Sequence, residues 1–204
     1  MGEMGKHVAI VGNLGAGKTT LTGVLSEALG ATPYWEVPEG RPFQQLIAAD
    51  AARWSLANQI DFLTARAAQD CQIRAAAGVG IQDGGLDQDF HVFSRYLFRR
   101  GSLTEAEFAL CSRTYGLLRS LIPSPDLFVV VRAPVSELAR RRSSRGRATD
   151  DLIILSGELT DFQALLDSWL GRIDPARVIQ FQPGDPRENP EEIRALADRL
   201  VGLL

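Results

Sequence analysis

A glycine-rich segment, GNLGAGKT at positions 12–19, restricts the folds open to this chain. It satisfies the pattern GxxxxGK(S/T) and lies between an apolar run of strand length, residues 7–11, and an amphipathic helical pattern, residues 18–29. Glycines allow backbone N–H groups to surround phosphate oxygens, and the helix N-terminus adds a partial positive charge. Lys18 can reach the β- and γ-phosphates, and the Thr19 hydroxyl can bind Mg²⁺. The segment therefore predicts a site for a nucleoside triphosphate and Mg²⁺, formed by Gly12, Asn13, Leu14, Gly15, Ala16, Gly17, Lys18, Thr19 and Thr20.

The rest of the chain alternates between apolar runs of strand length and longer helical patterns. Strands are predicted at residues 7–11, 33–36, 79–83, 127–132 and 177–181. Helices are predicted at residues 18–29, 53–77, 88–100, 104–121, 134–144, 159–173 and 191–203, and Thr104 with Glu107 forms a capping box. This alternation is typical of a doubly wound α/β sandwich with about five parallel strands. The length fits a single domain over residues 1–204.

Composition excludes several classes of function. A net charge of −3 argues against a nucleic-acid partner, because dedicated nucleic-acid binders are usually basic. No stretch approaches the roughly 18 apolar residues of a membrane span, and the N-terminal segment does not resemble a signal peptide. Two cysteines do not make a disulfide framework and fit a reducing compartment. We therefore expect a cytoplasmic protein without a membrane partner.

Two carboxylates follow predicted strands. Glu36 and Asp83 each end a strand, and the carboxyl ends of parallel strands face the ligand crevice of an open α/β sheet. One carboxylate there can take a proton from an attacking hydroxyl, while the other can bind Mg²⁺ or orient water, so Thr19 and Asp83 are the predicted metal ligands. The alternatives are a solvated turn residue for Glu36 and a helix N-cap for Asp83.

A candidate for reading a nucleobase lies on the next helices. Gln59 and Arg66 share one face of the helix at residues 53–77, two turns apart, and Asp89 opens the following helix. An amide, a guanidinium and a carboxylate supply the donors and acceptors that a base edge requires. Each of the three would, taken alone, more often be a surface residue.

A cluster of arginines follows the fourth strand, at Arg140, Arg141, Arg142, Arg145 and Arg147. Guanidinium groups this close repel one another unless an anion joins them, and arginine suits phosphoryl oxygens. The pattern favours a lid, at about residues 141–150, that closes over a triphosphate. The alternative is a basic, solvated helix end.

Together these segments resemble the deoxynucleoside kinase family over most of the chain. The segments that carry the resemblance are GNLGAGKTT, EVPEGRPF, RWSLANQIDFLTAR, residues 83–93, the strand PDLFVVV and the RxxxRxR pattern with its trailing acid at residues 141–150. The resemblance implies a P-loop kinase fold, a three-layer sandwich whose five-stranded parallel sheet is flanked by helices and carries an arginine-rich lid.

The resemblance also implies roles for individual residues. The residues implied in catalysis are Glu36 as general base, Lys18, Asp83, Arg141 and Arg145. Arg145, Arg147 and Asp185 would contact ATP and its phosphates, Asp185 within the loop that partly holds adenine. The implied nucleoside-binding residues are Glu36, Trp54, Gln59, Phe62, Arg66, Asp89 and Asp150, the last at the sugar 3′-hydroxyl. The implied partners are a nucleoside acceptor, a nucleoside triphosphate donor and a second copy of the chain, packed through helices 53–77 and 104–121.

The chain departs from the family pattern at two positions on the acceptor side. Gly84 stands where the family has its central arginine after the third strand. Either Arg41 or Arg95 substitutes for that arginine, or the activity is weak, or the acceptor differs. Ala48 stands where the family has a tyrosine that helps to hold the sugar. We therefore predict ATP-dependent phosphorylation of the 5′-hydroxyl of a (deoxy)nucleoside, with a thymidylate-like nucleoside monophosphate kinase and a nucleotide-binding regulator without kinase activity as the alternatives.

Overall fold

The computed structural model describes residues 4–36, 41–47, 49–145, 158–182, 187 and 189–204, with residues 142–145 described by their backbone alone. The expectations for Ala48, Arg147, Asp150 and Asp185, and for most of the lid, concern residues outside this set.

The centre of the fold is a five-stranded parallel sheet in the order β2-β3-β1-β4-β5. Its strands are β1 Lys6–Gly12, β2 Thr32–Tyr34, β3 Val79–Asp83, β4 Leu127–Val131 and β5 Val178–Phe181. The central strand β1 pairs with β3 on one side and with β4 on the other, so the chain reverses its direction of winding at β1. The predicted doubly wound α/β architecture is confirmed, and its ligand crevice is expected beyond the carboxyl end of β1.

Helices cover both faces of the sheet. They are α1 Lys18–Leu29, α2 Pro42–Ile47, α3 Ala51–Ala75, α4 Leu86–Gln88, a π-helical segment Asp89–Ser94, α5 Arg95–Arg99, α6 Glu105–Leu121, α7 Val135–Arg145, α8 Glu158–Leu170 and α9 Pro190–Val201, with a 3-10 turn at Pro175–Arg177. In the described part of the chain, none of these helices has the length and apolarity that a membrane crossing requires.

Alternate residues of the central strands pack into two separate cores. Ala9 and Val11 face a core built with α3, the π-helical segment and α8, whereas Val8 and Ile10 face a core built with α1 and α9. All five residues of β4 are buried. A parallel sheet covered on both faces has no solvated side, which explains why its strands are continuous apolar runs in the sequence.

The structure corrects three details of the predicted elements. The strand expected at residues 33–36 ends at Tyr34, so Glu36 lies two residues beyond β2. The short helix α2 was not predicted, because its six residues are too few for a clear periodic pattern. The single helix expected at residues 88–100 begins earlier and contains the π-helical segment Asp89–Ser94. π-Helical turns inside helices often occur at functional sites.

Candidate active site

The glycine-rich loop connects the carboxyl end of β1 to the start of α1. Gly15 and Gly17 adopt φ angles of 76° and 101°, which a residue with a Cβ rarely adopts. The Nζ of Lys18 donates hydrogen bonds to the carbonyls of Gly12 and Asn13, at 3.1 and 3.0 Å. The lysine ammonium therefore lies over the loop that is predicted to hold phosphate, as a positive charge beside a helix N-terminus.

Two amide side chains hold this loop in place. Asn13 is 1% exposed, and its Nδ2 donates to the Leu159 carbonyl and to Gln163 Oε1, at 3.0 and 3.1 Å, which ties the loop to the start of α8. The Gln88 amide accepts from the N–H of Gly12 at 3.0 Å and donates to its carbonyl at 3.1 Å. The sequence pattern did not reveal the role of Gln88, because the pair joins positions 76 residues apart.

Asp83 contacts the loop from the adjacent strand. Its Oδ2 accepts a hydrogen bond from the Thr19 hydroxyl at 2.6 Å, and the residue is 3% exposed. Burial raises the pKa of the Asp83 carboxyl, although the charge of Lys18 and the Thr19 hydroxyl oppose this. The N-cap alternative is not what the structure shows: Gly85 precedes α4, with no side-chain cap. The two predicted metal ligands are therefore adjacent.

A buried guanidinium joins the two other predicted carboxylates. The Nε of Arg66 donates to Asp89 Oδ2 at 3.0 Å, and its Nη2 donates to Glu36 Oε2 at 2.8 Å. The side chain of Glu36 is 38% exposed, whereas those of Arg66 and Asp89 are 2% and 6% exposed. The general-base candidate thus lies at the open side of the array, and the solvated-turn alternative for it does not account for this ion pair.

The charges in this array shift one another's protonation. Burial opposes the charge of Arg66, but the carboxylates of Asp89 and Glu36 outweigh it, so the pKa of the guanidinium is raised further above neutrality. Burial raises the pKa of Asp89 to about 6, against the opposing effect of Arg66. Asp89 is therefore an acceptor whose charge changes slightly below neutral pH.

Gln59, the predicted base-reading amide, is also buried at this site. It is 3% exposed, and its Oε1 accepts a hydrogen bond from the Ser94 hydroxyl at 2.8 Å. With its oxygen held by Ser94, the amide group directs its N–H donors elsewhere in the pocket. The π-helical segment thus positions both Asp89 at its start and Ser94 at its end.

One pocket brings most of these side chains together. Seven of its lining residues were predicted from the sequence as site residues: Leu14, Lys18, Glu36, Gln59, Phe62, Arg66 and Asp89. Its remaining lining residues are Gln44, Ile47, Asn58, Gly84, Gln88, Phe93, Tyr96 and Leu97. Most of the second group are apolar or amide side chains of α2 to α5, whose orientation toward a pocket depends on tertiary packing rather than on a motif.

Trp54 was predicted to bind the nucleoside but does not line this pocket. It lies one turn before Asn58 on α3 and packs against Phe43 of α2, with the ring centroids 6.0 Å apart. The tryptophan therefore packs against α2, and α2 itself contributes Gln44 and Ile47 to the lining.

The predicted lid residues are described only at their beginning. The Nη1 of Arg141 donates to the carbonyl of Ala16 in the glycine-rich loop at 3.3 Å, and its Nε donates to Glu137 at 2.7 Å. Glu137 also binds Arg140, so a carboxylate separates two guanidinium groups that would otherwise repel each other. Arg141 is thus adjacent to the loop, and its predicted contact with phosphate stays a prediction, while Arg145 is described by its backbone alone.

The arginine beside Gly84 is neither of the two that were expected to substitute there. Arg41 pairs with Asp61 at 3.1 Å, and Arg95 lies over the ring of Phe90, at 5.7 Å from its centroid. A Cβ built on Gly84 would instead lie 2.8 Å from the Nη2 of Arg66. The guanidinium at this position therefore comes from α3.

Comparison with known proteins places this site in context. The family model described as deoxynucleoside kinase matches residues 8–187. The chain is 21% identical to the deoxyadenosine/deoxycytidine kinase of Bacillus subtilis, over 97% of this chain and 92% of that protein. It is 25% identical to the deoxyguanosine kinase of the same organism, over 89% of this chain and 87% of that protein.

Solved structures show the same fold. A deoxyadenosine kinase from M. mycoides, with the products dCMP and a flexible dCDP bound, superposes with a TM-score of 0.80 at 21% identity. The match covers 96% of this chain and 99% of that chain. The α/β P-loop kinase fold expected from the sequence is therefore confirmed.

Proposed function

Because the chain belongs to the deoxynucleoside kinase family, and is thus a phosphotransferase that converts a nucleoside to its monophosphate, we propose how its site performs this reaction. The acceptor deoxynucleoside lies in the pocket lined by Glu36, Gln59, Arg66 and Asp89, and the phosphates of ATP lie over the loop at residues 12–19. The observation that carries the proposal is that a single pocket joins Lys18 to the polar array of Gln59, Arg66 and Asp89, with Glu36 lining it as well.

Glu36 is the general base of the proposal. Its carboxylate takes the proton of the 5′-hydroxyl while that oxygen bonds to the γ-phosphorus of ATP; the bond between the γ-phosphorus and the bridging oxygen breaks, and ADP leaves. Lys18, the N-terminus of α1 and Arg141 surround the loop with positive charge, which stabilises the charge that moves toward the leaving group. Arg145 and Arg147 are proposed to contribute to the same grip on phosphate.

Thr19 and Asp83 are the proposed Mg²⁺ ligands. The residues fit this ion: a hydroxyl and a carboxylate lie 2.6 Å apart beside the phosphate loop, and Mg²⁺ commonly takes one or two protein oxygens together with phosphate oxygens and water. Within the described ranges, no group of three or more His, Cys, Asp or Glu side chains forms a fuller metal cage. When bound, the ion neutralises phosphate charge and orients the γ-phosphoryl group.

The polar groups of the pocket favour a base that carries an exocyclic amine. The buried carboxylate of Asp89 accepts hydrogen bonds when ionised, and it lines the same pocket as the Gln59 amide, whose N–H donors are left available by the Ser94 contact to its oxygen. Adenine, cytosine and guanine each offer an amine to such an acceptor, whereas thymine offers none. The relatives are named for deoxyadenosine, deoxycytidine and deoxyguanosine, which supports the same substrate class. Phe62 and Asp150 are proposed as further contacts of the nucleoside, and Asp185 as a contact of ATP.

We further propose that the enzyme is a cytoplasmic homodimer. On α6, Leu110, Leu117 and Leu121 recur on one side of the helix and are 38%, 62% and 73% exposed. A stripe of leucines this exposed on a helix that packs beside α3 suits the same stripe of a second copy. Cys71 and Cys111 are both free thiols, the state that a reducing cytoplasm maintains.

The proposal is tested by measuring ADP release from ATP and Mg²⁺ with a panel of deoxynucleosides, ribonucleosides and nucleoside monophosphates. We expect turnover with at least one deoxynucleoside that carries an amine, and little with thymidine. Glu36→Gln is expected to lower kcat by about a hundredfold to ten-thousandfold, the usual contribution of a general base. Glu27→Gln, an exposed glutamate of α1, is the matched control.

The product identifies the acceptor. A nucleoside acceptor yields a monophosphate, and a diphosphate product would instead support the thymidylate-like alternative. ATP binding without turnover on any acceptor, or an unchanged kcat in Glu36→Gln, would contradict the proposed site.

A further inference from the structure

The guanidinium of Arg66 is held by three side chains from separate elements. Its Nε donates to Asp89, its Nη2 donates to Glu36 and its Nη1 donates to Gln69, at 3.0, 2.8 and 3.2 Å. The residue is 1% exposed. Because each of its nitrogens has an acceptor, the planar group has one orientation, with one edge toward Asp89 and the other toward Glu36.

Gly84 provides the room for this orientation. Its φ of +86° is in the left-handed region, and a Cβ at this position would lie 2.8 Å from the Nη2 of Arg66. Real Cβ atoms essentially never approach a heavy atom this closely. The Nη2 atom is the one that binds Glu36, so a side chain at position 84 would displace that contact before the contact to Asp89.

Glu36 depends on such a contact more than the other carboxylates of the site do. It lies two residues beyond β2 and its side chain is 38% exposed, whereas Asp83 ends β3 and is 3% exposed. A half-exposed glutamate has several rotamers, and a charge-assisted hydrogen bond selects one of them. Asp89 approaches the same guanidinium from the side of the π-helical segment.

We propose that Arg66 is a positioning residue for phosphoryl transfer, which holds the Glu36 carboxylate toward the acceptor hydroxyl and links it to Asp89 on the nucleobase side of the pocket. The inference rests on the proposed role of Glu36 as general base. Gly84 permits this arrangement, because the absence of a side chain at position 84 leaves the space that the guanidinium of Arg66 fills. Base recognition and catalysis then share one side chain in this chain.

A double-mutant cycle tests the link between Arg66 and Glu36. The unmodified chain, Arg66→Gln, Glu36→Gln and the double variant are compared by kcat and KM at saturating ATP, with the deoxynucleoside that the unmodified chain phosphorylates best. Arg66→Gln is expected to lower kcat by about a hundredfold, the typical cost of a misplaced catalytic group. If Arg66 acts through Glu36, the double variant is no slower than Glu36→Gln alone, because the base that Arg66 positions is already absent.

A glycine pair provides the second test, which leaves Arg66 in the sequence. Gly84→Ala is expected to lower kcat by a factor similar to that of Arg66→Gln, because its Cβ displaces Nη2. Gly78→Ala is the matched control: Gly78 has a φ of +82°, so it carries the same backbone strain, but nothing lies within 4 Å of its Cβ position. Gly78→Ala is expected to lower the melting temperature without changing kcat. Thermal melts identify any variant that fails to fold.

Three results would overturn the inference. In the first, Arg66→Gln and Gly84→Ala raise KM while kcat at saturation is unchanged, which would leave Arg66 as a base contact alone. In the second, the effects of Arg66→Gln and Glu36→Gln on kcat multiply, which would make the two side chains independent. In the third, the unmodified chain turns over no nucleoside; this overturns the proposed function as well, and it is seen before any variant is compared.

Discussion

The Thr19 hydroxyl donates a hydrogen bond to Asp83 Oδ2 at 2.6 Å, which joins the start of α1 to the carboxyl end of β3 across 64 positions of sequence. The pair lies where the phosphates of ATP and their Mg²⁺ are proposed to bind. Asp83→Asn keeps the size of the side chain and removes its charge. We therefore expect kcat to fall by about a hundredfold, and the Mg²⁺ concentration that gives the half-maximal rate to rise. Steady-state rates over a Mg²⁺ series measure both.

Thr64→Val serves as the control for Thr19→Val, because Thr64 is exposed on α3 and bonds only to carbonyls of its own helix in the hydrogen bonds that the structure shows. Thr19→Val is expected to shift the Mg²⁺ dependence and Thr64→Val is not. An unchanged Mg²⁺ dependence in both Asp83→Asn and Thr19→Val would place the metal elsewhere.

Nucleoside affinity is expected to weaken as the pH falls through about 6. Burial raises the pKa of Asp89 to about 6, so the carboxylate is ionised above this pH and protonated below it. An ionised Asp89 accepts a hydrogen bond from Arg66 and, in the proposed site, from a base amine, and protonation removes that charge. Calorimetric titration of the nucleoside between pH 5 and pH 8 should show affinity falling by up to about tenfold per unit below the pKa.

Two comparisons separate this effect from others. Asp89→Asn is expected to bind the nucleoside more weakly at pH 8 and to lose the pH dependence. ADP binding by the unmodified chain should change little over the same range. A nucleoside affinity that is flat from pH 5 to pH 8 would contradict the assignment of Asp89 as the acceptor.

Arg119 is expected to be required for stability rather than for catalysis. Its Nη1 lies 2.8 Å from Asp70, and its Nε and Nη2 donate to the two oxygens of Asp87, at 3.0 and 2.7 Å. Arg119→Met leaves two buried carboxylates without their counter-charge, which should lower the free energy of unfolding by about 3–5 kcal/mol. Chemical denaturation measures this loss, with the exposed Arg113→Met as control.

The pH dependence of Arg119→Met has a definite sign. Burial raises the pKa of Asp70 to about 6, and the charge of Arg119 opposes that rise. Removing Arg119 removes this opposition, so the pKa of Asp70 in the folded state rises further above its value in the unfolded state. The defect should therefore be larger at pH 8 than at pH 5, because protonation neutralises the buried carboxylate as the pH falls. An equal or larger defect at pH 5 would argue against Asp70 as the source.

Leu117→Glu tests the proposed dimer. Leu117 is 62% exposed on α6, and a charge there would have to be desolvated between two copies. We expect a dimer for the unmodified chain and a monomer for Leu117→Glu, by light scattering after size-exclusion chromatography. Val201→Glu, at a 68% exposed position on α9, is the control and should leave the mass unchanged. A monomeric unmodified chain would contradict the proposal directly.

The start of α6 is a local structure that could be predicted in full. Thr104 accepts a hydrogen bond from the N–H of Glu107, and the Glu107 carboxylate accepts from the N–H of Thr104, as the capping-box pattern requires. Thr104→Ala should lower the free energy of unfolding by about 1 kcal/mol, and Ser120→Ala, near the other end of the helix, should have a smaller effect. Chemical denaturation of the two variants measures the difference, provided that the dependence of the unfolding free energy on denaturant is unchanged. Equal losses of unfolding free energy in the two variants would mean that the cap contributes little.

The predicted fold depended on signals of this local kind. The strand, the glycine-rich loop and the helix that follows it are adjacent in sequence, so residues 7–29 were sufficient to place Lys18 and Thr19 at the start of a helix, beside a loop proposed to hold phosphate. Alternating apolar runs predicted the remaining strands to within a few residues. Glu36 and Asp83 were predicted at one edge of the sheet, because parallel strands share the direction of their carboxyl ends.

The contacts inside the site could not be read in this way. Arg66 was predicted to read a base from its position on α3, but its hydrogen bonds to Glu36 and Asp89 join positions 30 and 23 residues away. Trp54 lies on the same helix and was predicted to bind the nucleoside, yet it packs against α2. A helical pattern gives the relative directions of side chains on one helix, not the elements that those side chains meet.

The amino-acid order alone was therefore enough for the class of fold, the glycine-rich loop and the carboxylates at or just beyond the strand ends, since each follows from backbone preferences within one or two elements. Tertiary structure alone decided that Gly84 makes room for Arg66, and that this guanidinium lies between Glu36 and Asp89. The physical reason is that the position of a buried charge depends on which carboxylates and which empty volume surround it, and these come together only when distant elements pack.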